Sequence, residues 1–565
     1  MSEQAVAQES AQPVLEVVPL GGLGEFGLNM IAVSWADTMV IVDAGSMFPE
    51  PELLGVDLII PDTSYIQQRA ARHAAVVLTH GHEDHIGALS HLLPTIKGRV
   101  YGTPLTLAMV EPKLAEHGID AGDRLTPVRP RDRITVGDFT LEFLRVTHSM
   151  PDCVALAVHT PVGVLIFTGD FKIDQTPIDG EHFDFHRFAE LGTQGVLALF
   201  SDSTNIERPG FTGSELSVLD AFEEIFSSTR GKLVVTAFAT SIFRIQLLVT
   251  MAAQFKRRVA FVGRGMVDTS QIAQRLGYLK VPAGLAIREA EVKSHPPETV
   301  LCLVTGSQGE PMSALSRIAI NDHRHVSLGP DDTVVFSSRE IPGNERSIDR
   351  VINHIARRGA EIINQGNKHV HVSGHASEEE LKLMLSLVRP RCFIPIHGSF
   401  RQRSRHARVG ERLTRNLPTR VDVLIAENGD IIELKPTGAT VTGKAPTGRV
   451  LIDGAAGSGL DQEVLRDRRH LGEDGLIVPV IAINKQTGMI EGVPEIITRG
   501  LAVEQGAESP LRDAARLVAE ILESASVEER TDYGMMKDRL SVELRRFVRK
   551  RYGQRPLVLP VIMEI

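Results

Sequence analysis

The stretch AAVVLTHGHEDHIGALSHLL, residues 74–93, decides how the rest of the chain is read. It opens on an apolar run, AAVVL, with the length and β-branched content of a buried strand, and it passes into IGALSHLLPTI, which reads as a helix. Between them lie Thr79, His80, Gly81, His82, Glu83, Asp84 and His85. A strand-to-helix turn lets side chains converge on one point while the flanking elements hold them rigid. His80 and His82 alternate in an extended stretch and so face the same way; Asp84 and His85 follow in the turn and can face a second ion. Three imidazoles and a carboxylate within six residues suit a zinc site, and 20 histidines in 565 residues make this density improbable by chance.

Other polar residues stand in the same local setting. His148 ends the strand pattern FTLEFLRV, Asp170 ends GVLIFTG, and Asp43 closes MVIV. Alone, each reads as a turn or capping residue. Beside the histidine cluster they supply what two ions need to hold a shared hydroxide, a bridging carboxylate and a third histidine. Asp43 reads as a residue that orients a ligand through a hydrogen bond.

Composition bounds the setting. A chain of 565 residues is too long for one ordinary core, so two or three domains are expected. No apolar run approaches the ~18 residues of a membrane span. The opening MSEQAVAQESAQ lacks the basic start and apolar stretch of a signal peptide, which predicts a cytoplasmic protein with no membrane partner. Cys153, Cys302 and Cys392 are odd in number and far apart, which speaks against a disulfide framework and leaves metal binding to histidine and carboxylate. The net charge of −10 disfavours nucleic acid as a partner globally but leaves room for a local basic groove.

Residues 1–13 read as a disordered extension. From 14 to 212, short apolar strands are broken by Gly, Asp and His turns, a layered α/β pattern. From 213 to 365, amphipathic helices such as SIFRIQLLVTMAAQF alternate with strands such as KLVVTAF and TVLCLVTG, which predicts a parallel sheet. From 366 to 434 short strands return, HVHVSGH and CFIPIHG, with histidines at their ends. Residues 435–455, opening on KPTGATVTGKAPTG, read as a linker, and 456–565 as a last α/β domain.

With these residues in hand the chain resembles a known family. Asp43, His80, His82, Asp84, His85, His148 and Asp170 resemble the metallo-β-lactamase superfamily. Ser201–Asn205, the segment His371, Val372, Ser373, Gly374, His375, and Ile396–Gly398 look like the three motifs of the β-CASP nucleases. The stretches PLGGLGEFG (19–27) and TGSQGEP (305–311) look like bacterial ribonuclease J. The resemblance implies an αββα metallo-β-lactamase sandwich (14–212 and 366–434), an inserted β-CASP α/β domain (213–365) and a C-terminal α/β domain for self-association, as a homodimer or homotetramer. It implies two zinc ions per subunit, with manganese or magnesium as substitutes. His80, His82 and His148 would hold one, and Asp84, His85 and His397 the other, with Asp170 bridging. Asp84 and His375 would be catalytic, the first taking the water proton, the second protonating the leaving 3′ oxygen. Residues 371–375 would contact substrate, and Asp202 would support the site. After Ile396–Gly398 the family often has Glu and an aromatic, where this chain has Ser399 and Phe400.

The activity implied is a ribonuclease that works from the 5′ end and internally. It would prefer single-stranded RNA with a 5′ monophosphate and serve rRNA processing and mRNA turnover, with possible partners in an RNA-degradation complex. Two other readings compete. A small-ester hydrolase would use the same metals but needs no inserted domain, and a non-catalytic RNA-binding paralogue would have lost ligands, whereas every expected ligand is present. The glycine-rich 21–27 stretch reads as a tight sheet turn near the metals rather than a dinucleotide loop, since no helix pattern follows it. Arg401, Arg403, Arg405 and Arg408 read as a solvated face or as phosphate contacts, the tail run Arg545–Arg551 as a solvated helix face, and His323, His325 and His369 as structural.

Overall fold

The computed structural model describes residues 13–565 except 51–52, 70–72, 342, 416–420, 455–458, 461, 485–489, 502–507 and 526–532. Apart from Pro13, the expected N-terminal extension lies outside the described residues.

Two mixed sheets form the centre of the larger unit. One has eight strands, in the order 438–444, 430–435, 15–21, 30–35, 38–42, 73–77, 99–102 and 125–127. The other has seven, in the order 422–423, 392–396, 198–202, 164–167, 154–159, 139–145 and 133–136. Val17, Val33 and Val40 from the first sheet and Leu141, Phe143, Leu156, Phe200 and Ile394 from the second share one apolar core. Alternation along each strand puts these side chains on the inner faces. The helices Phe185–Gln194, Glu378–Val388 and Phe400–Thr414 pack beside the second sheet. The metallo-β-lactamase fold class expected from the sequence is therefore present.

Between Asp202 and Cys392 the chain builds a third sheet, six strands all parallel, in the order 286–287, 258–262, 300–304, 233–236, 333–336 and 361–363. Helices such as Ile242–Gln254 and Glu345–Arg357 connect them. Its central strand, Val300–Val304, is buried throughout, as a strand covered on both faces must be.

The second unit comprises Phe48–Leu58 and Val450–Ile565. Its strand Leu476–Ile483 alternates buried and half-buried residues, pairs antiparallel with Glu495–Arg499, and pairs parallel with Val561–Glu564. The helices Glu508–Ser524 and Tyr533–Tyr552 bury Val518, Leu522, Leu540 and Leu544 against it.

Two expectations are corrected. The Gly- and Thr-rich 438–444 segment, expected within a linker, is the edge strand of the eight-stranded sheet, paired from Asp430–Lys444 to Lys435–Gly438. An edge strand with one exposed face tolerates such composition, which is why it reads as a linker. Residues 369–375 form no strand, because their carbonyls are taken elsewhere: Val370 O accepts from Arg244 and Ser337, Gly374 O from His148, and His375 O from Asn205 and Thr212.

A buried ion cluster ties the second sheet to its covering helix. Glu142 is 2 % exposed and accepts from Arg187 Nε at 2.6 Å and Arg133 at 2.8 Å, and pairs with His159 at 2.8 Å. Burial would raise its pKa, but the bonds from Arg187, Arg133 and His159 outweigh it and push it down to about 2. A carboxylate with a lowered folded pKa adds stability above its unfolded value, near 4.5, and loses it as pH falls towards 2. Glu142→Gln is expected to cost about 2–4 kcal/mol at neutral pH, with the gap to wild type closing between pH 4.5 and 2. Urea unfolding across that range checks this; a gap independent of pH would contradict it.

Candidate metal centre and active site

Four of the seven candidate ligands follow the end of a strand in the central sheets. His80 follows His73–Val77, His148 follows Phe139–Arg145, Asp170 follows Val164–Phe167 and His397 follows Cys392–Ile396. His82 is at the N-terminus of the short helix Glu83–Ile86, which carries Asp84 and His85. His80, His85, His148, Asp170 and His397 are all at most 5 % exposed. The structure brings the seven predicted ligands together in two groups that share Asp170: His80, His82, His148 with Asp170, and Asp84, His85, His397 with Asp170. A third group joins Asp170, Asp202, His375 and His397.

The spacing is tight. His82 Nδ1 lies 3.0 Å from His80 Nε2 and 3.1 Å from His148 Nε2. Asp170 Oδ2 is 3.7 Å from His80 Nε2 and 3.3 Å from His85 Nε2, and its Oδ1 is 3.5 Å from His397 Nε2. Asp170 Oδ1 is buried without a hydrogen-bond partner among the described residues. Asp84 Oδ2 lies 3.3 Å from His397 Nε2 and 3.5 Å from His85 Nε2.

The outer nitrogens of four rings fix which nitrogen faces inward. Thr79 gives its hydroxyl proton to Asp43 Oδ2 at 3.0 Å, so Thr79 Oγ1 accepts from His80 Nδ1 at 3.0 Å. His85 Nδ1 donates to Asp43 Oδ2 at 2.7 Å, and His148 Nδ1 to Gly374 O at 2.7 Å. Thr204 donates to Asp202 Oδ1 at 2.7 Å and so accepts from His397 Nδ1 at 2.7 Å. In all four rings Nδ1 holds a proton outward and Nε2 points inward. Outward anchoring of this kind, with the other nitrogens turned to a common point, is the usual support of metal-bound histidine. The residues present fit a metal.

Charge agrees with geometry. Burial, then the neighbouring His85 and His82, hold His80 neutral, with its pKa well below the ordinary value; burial likewise brings His82 down to about 4. Burial opposes ionisation of Asp84 and Asp170, but the surrounding histidines outweigh it and hold both carboxylates below their ordinary range. Burial also opposes protonation of His397, yet Asp170 and the bond to Asp84 push it up to about 9. The two carboxylates thus draw positive charge into the site.

Of the five residues expected to contact substrate, three lie at the cluster. Gly374 carries the carbonyl that anchors His148, Ser373 Oγ accepts from Asn205 at 2.8 Å, and His375 Nδ1 lies 2.9 Å from Asp202 Oδ2. His371 sits instead by Arg244, Glu215 and Lys172, where burial, then Arg244, bring its pKa down to about 3. Val372 is buried as an apolar residue. The arginine run also resolves. Arg401 pairs with Glu207 at 2.8 Å and Arg405 with Glu378 at 3.0 Å, both as exposed side chains, whereas Arg403 is buried and donates to Ala426 O, which removes it as a phosphate contact.

Sequence reasoning missed Thr79, Thr204 and Asn29. Asn29 Nδ2 donates to Asp84 O at 3.0 Å and lies 3.4 Å from Asp84 Oδ2. Gly21, Gly22 and Leu23, the start of the glycine-rich turn that precedes it, line the same cavity as Asp43, His85, Asp170 and His397. Asp43 is the shared anchor of Thr79 and His85, and its φ of 61° lies in the left-handed region. Asp43→Ala is expected to weaken metal binding by about 10–100-fold. Metal titration checks this, and an unchanged affinity would mean that His85 needs no anchor.

The comparisons with known proteins add four family matches: "Metallo-beta-lactamase superfamily" over residues 33–235, "Ribonuclease J, beta-CASP domain" over 230–355, "Zn-dependent metallo-hydrolase RNA specificity domain" over 361–423 and "Ribonuclease J C-terminal domain" over 463–565. Ribonuclease J of Thermus thermophilus is 40% identical over 568 residues, covering 99% of this chain and 97% of the relative. Ribonuclease J2 of Bacillus subtilis is 37% identical over 551 residues, covering 98% and 99%. The chain belongs to the ribonuclease J family. As a member of that family it is a metal-dependent ribonuclease, and its His/Asp cluster is a candidate metal site. A ribonuclease J from Helicobacter pylori is 34% identical over 96% of this chain and 79% of the relative. The crystal structure of an Enterococcus faecalis V583 protein of unknown function superposes with a TM-score of 0.54 at 15% identity, covering 74% of this chain and 100% of that one, and speaks for the fold alone. Among the described residues, no helix is long and apolar enough to cross a membrane.

Proposed function

We propose that the chain is a two-zinc ribonuclease that trims single-stranded RNA from a 5′ monophosphate and also cuts internally, in rRNA maturation and mRNA decay. The observation that carries this reading is the set of inward Nε2 atoms on His80, His85, His148 and His397 around the shared Asp170. His80, His82 and His148 would hold one ion, Asp84, His85 and His397 the other, with Asp170 between them. Manganese or magnesium remain candidate substitutes, since histidine and carboxylate accept more than one metal. Bound ions would lower the pKa of water and neutralise phosphate charge.

The chain's own groups supply the proton traffic. Asp84, with its side chain one-third exposed, is the carboxylate open to the attacking water and takes its proton. Burial opposes protonation of His375, but Asp202 and Asp170 outweigh it and raise its pKa. With Nδ1 bonded to Asp202, its Nε2 is left to protonate the departing 3′ oxygen. Ser373 and Gly374 border the phosphate being attacked, and Asp202 supports both His375 and, through Thr204, His397.

Cleavage of a labelled, 5′-monophosphorylated, single-stranded RNA tests the reading, beside the same RNA with a 5′ hydroxyl. Mononucleotides from the first substrate, lost with chelator and in His80→Ala, are expected. Intact RNA with metal-replete wild type would sink the ribonuclease reading.

We further infer cytoplasmic residence, supported by three free, buried cysteines. We also infer assembly as a dimer or tetramer through the C-terminal unit, with possible partners in an RNA-degradation complex. Its strand Val561–Glu564 leaves Val561 and Met563 exposed, and light scattering reads the assembly.

A further inference from the structure

The segment TGSQGEP, 305–311, contributes none of the candidate ligands, yet its glutamine is 5 % exposed and bonded through both its amide nitrogen and its amide oxygen. Gln308 Nε2 donates to Arg339 O at 2.9 Å, and Gln308 Oε1 accepts from Ile341 N at 2.8 Å and Asn344 Nδ2 at 3.3 Å. The turn that presents it is fixed. Gln308 N donates to Glu310 Oε2 at 3.0 Å, and Gly309 has φ 71° with its α-carbon so near Ser347 that an added Cβ would meet that backbone at 2.5 Å. One amide therefore pins three positions between the strand Thr333–Phe336 and the helix Glu345–Arg357.

What it pins leads to the cluster. Arg339 Nη1 donates to Asn205 Oδ1 at 3.0 Å. Asn205 is 2 % exposed, and its Nδ2 donates to Ser373 Oγ at 2.8 Å and His375 O at 3.0 Å. Arg339 makes no ion pair within 4 Å among the described residues; burial, then the nearby Arg208, lower its pKa, and the more distant Glu207 opposes them. A guanidinium with spare donors, beside a second one and next to the substrate segment, suits an RNA phosphate.

We propose that Gln308 is a positioning residue for RNA: through Arg339 and Asn205 it sets the β-CASP wall against Ser373 and His375, with Arg339 presented to the RNA backbone. The proposal rests on the ribonuclease reading for its substrate. Its chemical demand is specific: the side chain must donate to Arg339 O and accept from Ile341 N at once. An ionised carboxylate of the same shape cannot donate, and a protonated one can.

The test uses the full chain with variants Gln308→Glu, Arg339→Gln and the double variant. RNA affinity is read by anisotropy of a labelled single strand in chelator, and kcat and KM in metal. Each single variant is expected to weaken affinity and raise KM about five- to twentyfold with kcat changed less than about threefold. The double variant should be no worse than Arg339→Gln, because the glutamine acts through the arginine. The Gln308→Glu defect, relative to wild type, should shrink from pH 8 to pH 5. Unchanged affinity, additive losses, or a fall in kcat alone would overturn the proposal. Should Gln308→Glu fail to fold, Arg339→Gln carries the affinity test. Wild type that binds RNA with these dependences but never cuts it would defeat the ribonuclease reading and leave the positioning role standing.

Discussion

Asp170→Asn is expected to abolish RNA cleavage, by about 10⁴-fold or more, or ~5.5 kcal/mol of barrier. Asp170 is the residue common to all three candidate ligand groups, and both of its oxygens face imidazole nitrogens. The amide keeps the shape but removes the charge and puts N–H donors where a ligand oxygen stood, so both sides of the cluster lose a ligand in one step. Metal analysis should show stoichiometry falling with activity. In chelator the variant should be less stable than wild type, because the histidines that hold Asp170 ionised despite its burial lose their counter-charge. Full metal content with near-normal cleavage would remove Asp170 from the shared position.

Gly374→Ala carries the second large effect, by sterics alone. An added Cβ would lie 2.5 Å from His148 Cε1 and 2.6 Å from its Nδ1, while the carbonyl of the same residue anchors that ring. The ring and its anchor must therefore separate. A displacement of about 1 Å at a ligand is expected to lower cleavage by roughly 10²-fold or more. Metal should be lost first from the His80, His82 and His148 side, and Asp84, His85 and His397 should retain theirs. Normal activity would mean that the 371–375 segment yields freely, which its bonds to Asn205 and Thr212 oppose.

The fold and the ligands were legible where one residue's local setting was enough. A histidine or aspartate closing an apolar strand, as at His80, His148 and Asp170, is a local pattern, whereas a ligand role for His397 came only with the family resemblance; the structure gathers all four at one point. The anchors were not legible. Thr79 and Thr204 are ordinary turn residues until their hydroxyls are seen between a carboxylate and an imidazole. Asn29 meets Asp84 across 55 residues. Arg403 looked like part of a basic face because its neighbours are arginines, but a helix turns each to a different side, and this one faces the interior. Residues 369–375 looked like a strand from their alternation; their carbonyls had already been claimed by side chains.

The eight-stranded sheet has one consequence for how the molecule comes into being. Its N-terminal strand, Leu15–Gly21, pairs on one side with Asp430–Lys435, so that Leu15 faces Leu434. His397 likewise follows the inserted sheet in the chain. During synthesis the first strand waits, one edge open, until more than four hundred further residues have been made, and the cluster lacks a member for nearly as long. A fragment that ends before residue 397 carries the HGHEDH turn without His397, so the candidate cluster can be completed only after the inserted sheet has been made.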